Sequence, residues 1–229
     1  MASVAWRCPT AAGDVVVVQS TRGDGDFHRD RVDHATLDAR RRRLVDAPWT
    51  MLAEVHGREV VTVDAPGAGD GFVGDVAVTD LAGTVLGVWT GDCAPLVAVA
   101  PGGRVAAAHA GWKGLAGGVV DVLVDAVDPA GAGGVRAFLG PAIGPCCYEF
   151  GAAELAIVAA GVRGGPSTVG TTTWGTVSLD IEAAVATALA RHGVALEGGG
   201  PCTCCDERYF SHRGGDAGRH VTAAWRVRR

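Results

Sequence analysis

An α+β fold with mixed β-sheets flanked by helices, in a single domain over residues 1–229, is predicted by three features of the sequence. Short β-branched runs crowd the first half of the chain and are cut by Gly, Pro or Asp. Helical patterns interrupt these runs irregularly, unlike the regular alternation of a βαβ array. The chain is 48% hydrophobic and carries 35 glycines, which supplies apolar material for one sizeable core and a backbone suited to tight turns.

Val15–Gln19 reads as a buried strand, a β-branched run that ends at polar residues. Asp33 can cap a helical pattern over residues 34–45, which contains the basic run Arg40, Arg41, Arg42 and Arg43. That run is expected to form a solvated helix face. Residues 51–55 and 59–63 are strand candidates on either side of a turn at His56 and Gly57. Residues 76–79, 85–89, 96–100 and 105–108 continue the series. Residues 115–127 form a helical pattern that stops before Pro129, and residues 135–139 form another strand. Helices follow at 152–160 and 180–192. The second has Ile181, Ala184, Val185, Ala188 and Leu189 on one face and Gly193 at its end. The glycine-rich stretches at 131–134 and 198–200 are loops too short to separate domains.

The net charge of −5 argues against a nucleic-acid partner, which a basic patch would attract. No apolar run approaches the roughly twenty residues a membrane-spanning helix needs. The opening residues lack the basic start and apolar stretch of a signal peptide, so a cytoplasmic location is expected. In that reducing setting seven cysteines, an odd number, do not form a disulfide framework. They are candidates for metal binding, catalysis or core packing.

Three polar positions each follow an apolar strand: His56, the pair Asp92 and Cys93, and His109. Side chains at strand ends can converge on one cleft while the sheet holds them rigid. Two imidazoles and a thiolate match the donor preference of zinc, and three protein ligands leave a fourth position open for a reactant. The ligands lie far apart in the chain, unlike the tight pairs of a zinc finger. The spacing alone therefore leaves room for two ordinary histidines and a buried thiol.

The surrounding residues narrow the choice. Thr90-Gly91-Asp92-Cys93-Ala94-Pro95-Leu96, His109-Ala110-Gly111-Trp112-Lys113-Gly114, and His56-Gly57 followed by Val60 resemble motifs of the YfiH-like laccase-domain family. So do Gly140-Pro141-Ala142-Ile143-Gly144-Pro145-Cys146-Cys147-Tyr148-Glu149 and a closing segment with Cys202-Thr203, Tyr209-Phe210-Ser211-His212-Arg213 and Gly218-Arg219. The five occur in the family's order. The resemblance implies a YfiH-like fold and a metal site of His56, Cys93 and His109, with zinc preferred over copper. It also implies phosphorolysis of adenosine, inosine, guanosine or methylthioadenosine, and deamination of adenosine, with purine nucleosides and phosphate as partners and neither nucleic acid nor membrane among them. Glu54 departs from the glutamine common in the family, and His212 stands where many members have tyrosine. A longer N-terminal segment of many members is missing after Thr21-Arg22.

Deamination needs a carboxylate to carry a proton from water to the leaving amine. Asp92, next to Cys93, is the first candidate and Glu54 the second; Asp92 serves equally well as a partner that orients a histidine. Together, Asp92, Cys93 and His109 form the expected catalytic group. Lys113 and Arg213 are the expected phosphate-binding cations, and Tyr148 or Trp112 the surface on which a purine stacks. Cys202, Cys204 and Cys205 invite a second metal or redox reading. No outlying pair has matching spacing, though Cys146 and Cys147 could approach in space, so thiols packed near the cleft are expected. Three alternatives remain: a copper polyphenol oxidase, for which seven histidines are few; a cysteine amidase with Cys93 as nucleophile, editing a cell-wall precursor; and a non-catalytic metal-binding protein.

Overall fold

Val15–Gln19 is buried along its whole length because the sheet that contains it is covered on both faces. In this computed structural model, which describes residues 2–227, Val15 and Val17 join the core between two sheets, while Val16 and Val18 pack on the opposite side. That alternation is the period of two of a pleated strand.

The elements, in chain order, are β1 (Ser3–Cys8), β2 (Val15–Gln19), α1 (His34–Leu44), β3 (Trp49–Met51), β4 (Val60–Thr62), β5 (Val76–Thr79), β6 (Val85–Thr90), β7 (Ala94–Val99) and β8 (Val105–Ala110). They continue with α2 (Trp112–Gly117), α3 (Val119–Val127), β9 (Arg136–Leu139), α4 (Ala152–Val162), β10 (Val169–Thr171), β11 (Val177–Leu179), α5 (Ile181–Ala190), β12 (Leu196–Glu197) and β13 (His220–Arg226).

One sheet has the order β1-β2-β13-β6-β3 and the other β12-β9-β7-β8-β5-β4, with β10 and β11 as a separate hairpin. Both large sheets are mixed: β3 runs parallel to β6, β4 to β5 and β12 to β9, and the remaining pairs are antiparallel. The sheets face each other across Val17, Leu86, Val88, Val97, Ala107 and Ala224. Leu37 of α1 packs with Val16, Val85 and Val221 on the outer face of the first sheet. The outer face of the second sheet packs against Leu115, Leu123, Leu155, Val185 and Leu189 from α2 to α5. The predicted α+β class with mixed sheets flanked by helices is the observed one.

Several sequence expectations shift. Strand β8 extends through Ala110, so His109 lies within the strand instead of after it. It shares a face with Val105 and Ala107, at the end of the inter-sheet core. The helix expected over 115–127 is two helices, α2 and α3, broken at Gly118, whose φ of 86° lies in the left-handed region. The strand expected at 51–55 lies earlier, as β3, and shares only Met51 with that range, while Ala53 makes an isolated bridge to Val73; the strand expected at 59–63 contracts to β4. Asp33 caps α1 as expected, accepting from the Thr36 amide at 2.9 Å.

The basic run is not uniformly solvated. Arg41 is 5% exposed and makes a bidentate pair with Asp70 at 3.0 and 3.1 Å. A buried guanidinium requires such a partner. β1, the β10–β11 hairpin, β12 and β13 are not marked by the local sequence pattern, although β13 is the central strand of its sheet.

Candidate metal centre

The site sits where the two sheets part. Strand β5 pairs with β8 so that Val76 lies opposite Ala108, which sets Asp75 beside His109. The His109 amide donates to the Asp75 carbonyl at 2.8 Å, and the His109 Nδ1 lies 2.9 Å from Asp75 Oδ1. The same carboxylate accepts from the His56 amide at 2.9 Å and the Gly57 amide at 2.7 Å. One wholly buried side chain therefore orients both histidines. With Nδ1–H donated to a carboxylate, Nε2 of His109 is left as the lone-pair donor that a metal requires.

Cys93 ends the turn between β6 and β7, directly before Ala94. Its Sγ lies 3.8 Å from His56 Nε2, and the rings of His56 and His109 meet edge to face at 4.7 Å. Donor atoms of His56, Cys93 and His109 all lie within 4.8 Å of one another. His56 is exposed, Cys93 half-buried and His109 buried, so the group opens to solvent on one side. His56 and Asp92 adopt φ values of 60° and 106°, a region that side chains other than Gly seldom occupy. Such strain persists only where surrounding bonds hold it.

The glycine of the His-Ala-Gly-Trp segment has a physical role here. A Cβ on Gly111 would stand 2.7 Å from His56 Cδ2 and 3.2 Å from Cys93 Sγ. Only a residue without one leaves room for both ligands.

The electrostatics favour a cation. Glu54 is 5% exposed on its side chain, lies 3.8 Å from His109 Nε2 through Oε2, and accepts from the Trp89 amide at 3.1 Å through Oε1. Burial pushes its carboxyl up to about 8. Burial also works against the Cys93 thiolate, but the charge of His109 and hydrogen bonds from both imidazoles outweigh it and bring the thiol down to about 6. For His109 burial favours the neutral ring, yet Glu54, Cys93 and Asp75 together raise it well above the ordinary imidazole range. Three potentially anionic groups thus crowd two imidazoles. A soft divalent ion would relieve that arrangement, and the nitrogen and sulfur donors fit zinc.

The trio lines a cleft of about 570 Å³, whose walls include Glu54, Asp92, Lys113, Tyr148 and Arg213. Lys113 is exposed, with its ammonium 5.7 Å from the Trp112 ring. Trp112 packs edge to face on Phe150, and Tyr148 also meets Phe150. The Arg213 guanidinium lies over the Tyr148 ring at 5.3 Å, and its Nη2 donates to the Glu149 carbonyl at 3.2 Å.

Asp92 lines the cleft next to Cys93, and its carboxylate is tied into the neighbouring loops. Both carboxylate oxygens are engaged, Oδ1 by the Thr203 hydroxyl and Oδ2 by the Arg213 amide, each at 2.6 Å. Its own carbonyl accepts from the Ile143 amide at 2.9 Å. Asp92 thus ties three loops together, and the carboxylate that orients the histidines is Asp75. Sequence reasoning passed over Asp75; the available signal was an acidic residue after a glycine, at the head of an apolar strand. Arg219 and His28, which also line the cleft, were likewise given no role.

Comparison with known proteins agrees with the fold and identifies the family. A family model described as multi-copper polyphenol oxidoreductase laccase matches residues 22–227. A purine nucleoside phosphorylase of Xylella fastidiosa is 38% identical over 184 residues, covering 76% of this chain and 70% of that protein. Purine nucleoside phosphorylase ORF3 of Streptomyces griseus is 37% identical over 193 residues, covering 79% and 77%. The crystal structure of Neisseria meningitidis protein NMB0706 superimposes with a TM-score of 0.83 at 27% identity over 98% of both chains. YlmD from Geobacillus stearothermophilus gives 0.77 at 27% identity, over 96% of this chain and 93% of that one. With the family pattern running through nearly all of its length and its fold shared with YlmD, this chain belongs to the YfiH-like laccase-domain family.

Proposed function

We propose that the protein is a zinc-dependent purine nucleoside phosphorylase that also deaminates adenosine. The observation that carries this reading is the convergence of His56, Cys93 and His109 donor atoms within 4.8 Å at the base of a cleft. The names of the Xylella and Streptomyces relatives support purine nucleosides and phosphate as substrates. Zinc, held by His56, Cys93 and His109, would supply Lewis acidity to a water in the cleft.

The chain's own residues divide the remaining work. Glu54, buried beside the trio and favoured as a carboxylate by a cation bound there, is the group within reach to take a proton from attacking water and return it to the leaving amine. Lys113 and Arg213 bring positive charge to the cleft and attract phosphate. Tyr148, with Arg213 stacked on it, forms a planar wall suited to a purine. Asp92 holds the Thr203 and Arg213 loops in register with Cys93, a positioning role.

A copper polyphenol oxidase fits less well. Among the described residues, one group of three or more clustered donors contains imidazole, and several coppers need more. One observation favours a second reading: Cys93, drawn down to about 6 and 3.8 Å from His56, resembles an activated cysteine nucleophile. Metal-free protein that cleaves an amide and is silenced by iodoacetamide would support that reading. Chromatography of nucleosides incubated with and without phosphate tests the first one. Free base that appears only with phosphate, and inosine from adenosine without it, are expected. A zinc-loaded protein inert to the whole nucleoside panel would overturn it.

A further inference from the structure

The chain brings together a second set of donors, far from the trio in sequence. Sγ atoms of Cys146, Cys147, Cys202 and Cys205 all lie within 4.8 Å of one another. Cys205 Sγ is 3.3 Å from Cys147 Sγ and 3.5 Å from Cys146 Sγ. Four thiolates about 2.3 Å from one zinc ion, at the corners of a tetrahedron, stand about 3.8 Å apart. The four sulfurs are therefore already gathered at the scale of a single ion.

The local backbone is built to present them. Cys146 and Cys147 lie in a turn closed by the Cys147 amide on the Gly144 carbonyl at 3.1 Å. Cys202 and Cys205 lie in a second turn, closed by the amides of Cys205 and Asp206 on the Cys202 carbonyl at 3.1 and 3.0 Å. The relevant spacing is Cys202-x-x-Cys205, with Cys204 outside the group, and it is a familiar interval for zinc thiolates. The Gly144 amide donates to Cys202 Sγ at 3.2 Å, a bond that favours a thiolate over a thiol. A Cβ on Gly144 would stand 3.2 Å from Cys146 Sγ and 3.2 Å from Cys202 Cβ, so this glycine makes room for the cluster.

We propose that Cys146, Cys147, Cys202 and Cys205 form a second metal site, a closed tetrathiolate centre for one zinc ion. Four protein ligands fill a tetrahedron and leave no position for substrate, so the centre is structural. Loading converts the thiols to thiolates and releases their protons to solvent. The centre joins a loop that leads into Tyr148, a residue of the cleft wall, to a second loop outside that wall. The second loop carries Thr203, whose amide donates to the Ala142 carbonyl at 3.1 Å and whose hydroxyl holds Asp92. The proposal stands independently of the His56, Cys93 and His109 reading.

The test uses the full chain produced with added zinc, with metal content read by elemental analysis and native mass spectrometry. Two zinc ions per chain are expected, falling to one in Cys93→Ala and to one in Cys205→Ser, a change at an exposed residue. Cobalt loaded into Cys93→Ala should show the intense visible bands and sulfur-to-metal charge transfer of a tetrathiolate, and Cys93→Ala/Cys205→Ser should lose them. If Cys205→Ser does not fold, the cobalt spectrum of Cys93→Ala decides alone. One zinc that survives Cys93→Ala but not Cys205→Ser would support the thiolate centre and refute the trio. A folded Cys93→Ala protein that takes up no metal, or an intact mass lighter by two hydrogens with a Cys147–Cys205 disulfide, would overturn the proposal.

Discussion

Asp75 Oδ1 stands 2.9 Å from His109 Nδ1, and the carboxylate that makes this contact also receives the backbone amides of His56 and Gly57. Two candidate ligand positions separated along the chain are thereby locked to one buried charge. Replacing Asp75 by Asn keeps the size but removes the charge that selects the His109 tautomer. Asp75→Asn is expected to weaken zinc binding by about 10–100-fold, as measured by competition with a chromophoric chelator. Unchanged zinc affinity would remove Asp75 from the site.

Gly111 and Gly117 provide a paired comparison at the two ends of α2. Gly111→Ala places a methyl group 2.7 Å from the His56 ring, whereas nothing lies within 4 Å of a Cβ on Gly117. Gly111→Ala should lose metal while retaining its circular dichroism. Gly117→Ala should keep its metal and melt no lower than the parent, since Ala is favoured over Gly in a helix by up to about 1 kcal/mol.

Glu54 and Asp92 should separate by the kind of defect they produce. Glu54→Gln is expected to keep zinc and to lower adenosine deamination by roughly 10²–10⁴-fold, the contribution of a positioned proton carrier. Asp92→Asn breaks the match to Thr203 and the Arg213 amide and should cost about 1–3 kcal/mol of stability in denaturant melts. Equal turnover in Glu54→Gln and the parent would shift the proton transfer to another group.

His220 should give the protein a specific acid sensitivity. It is fully buried, its Nε2 lies 3.1 Å from the Thr90 hydroxyl, and burial brings its imidazole down to about 4. The folded state therefore holds a neutral ring between about 4 and the ordinary 6.5, whereas the unfolded chain binds a proton there. Stability from this group is complete above 6.5 and is lost as pH falls toward 4, at up to about 1.4 kcal/mol per pH unit. His220→Gln should flatten that part of the stability profile in melts at pH 7, 5.5 and 4. An identical slope in variant and parent would assign the acid sensitivity to other groups.

The strand-end pattern and the family motifs make His56, Cys93 and His109 legible as a group in the sequence. Strand β2, the α+β class and the Asp33 cap were also readable, because each depends on residues close in sequence. Strand β13 was not. His220 to Arg226 carries little apolar contrast, and its central place in a sheet comes from pairing with β2 and β6, far back in the chain.

The same distinction governs the chemistry. Motifs along the chain could name candidate ligands. The β5–β8 register decided that Asp75, 34 residues from His109, would be the carboxylate that orients it. Only the folded chain brought Cys147 within 3.3 Å of Cys205 across 58 residues and spent both oxygens of Asp92 on neighbouring loops. Local patterns record which side chains are available and which way a strand turns them. Which polar groups come to share a low-dielectric pocket is set by long-range strand pairing and loop closure.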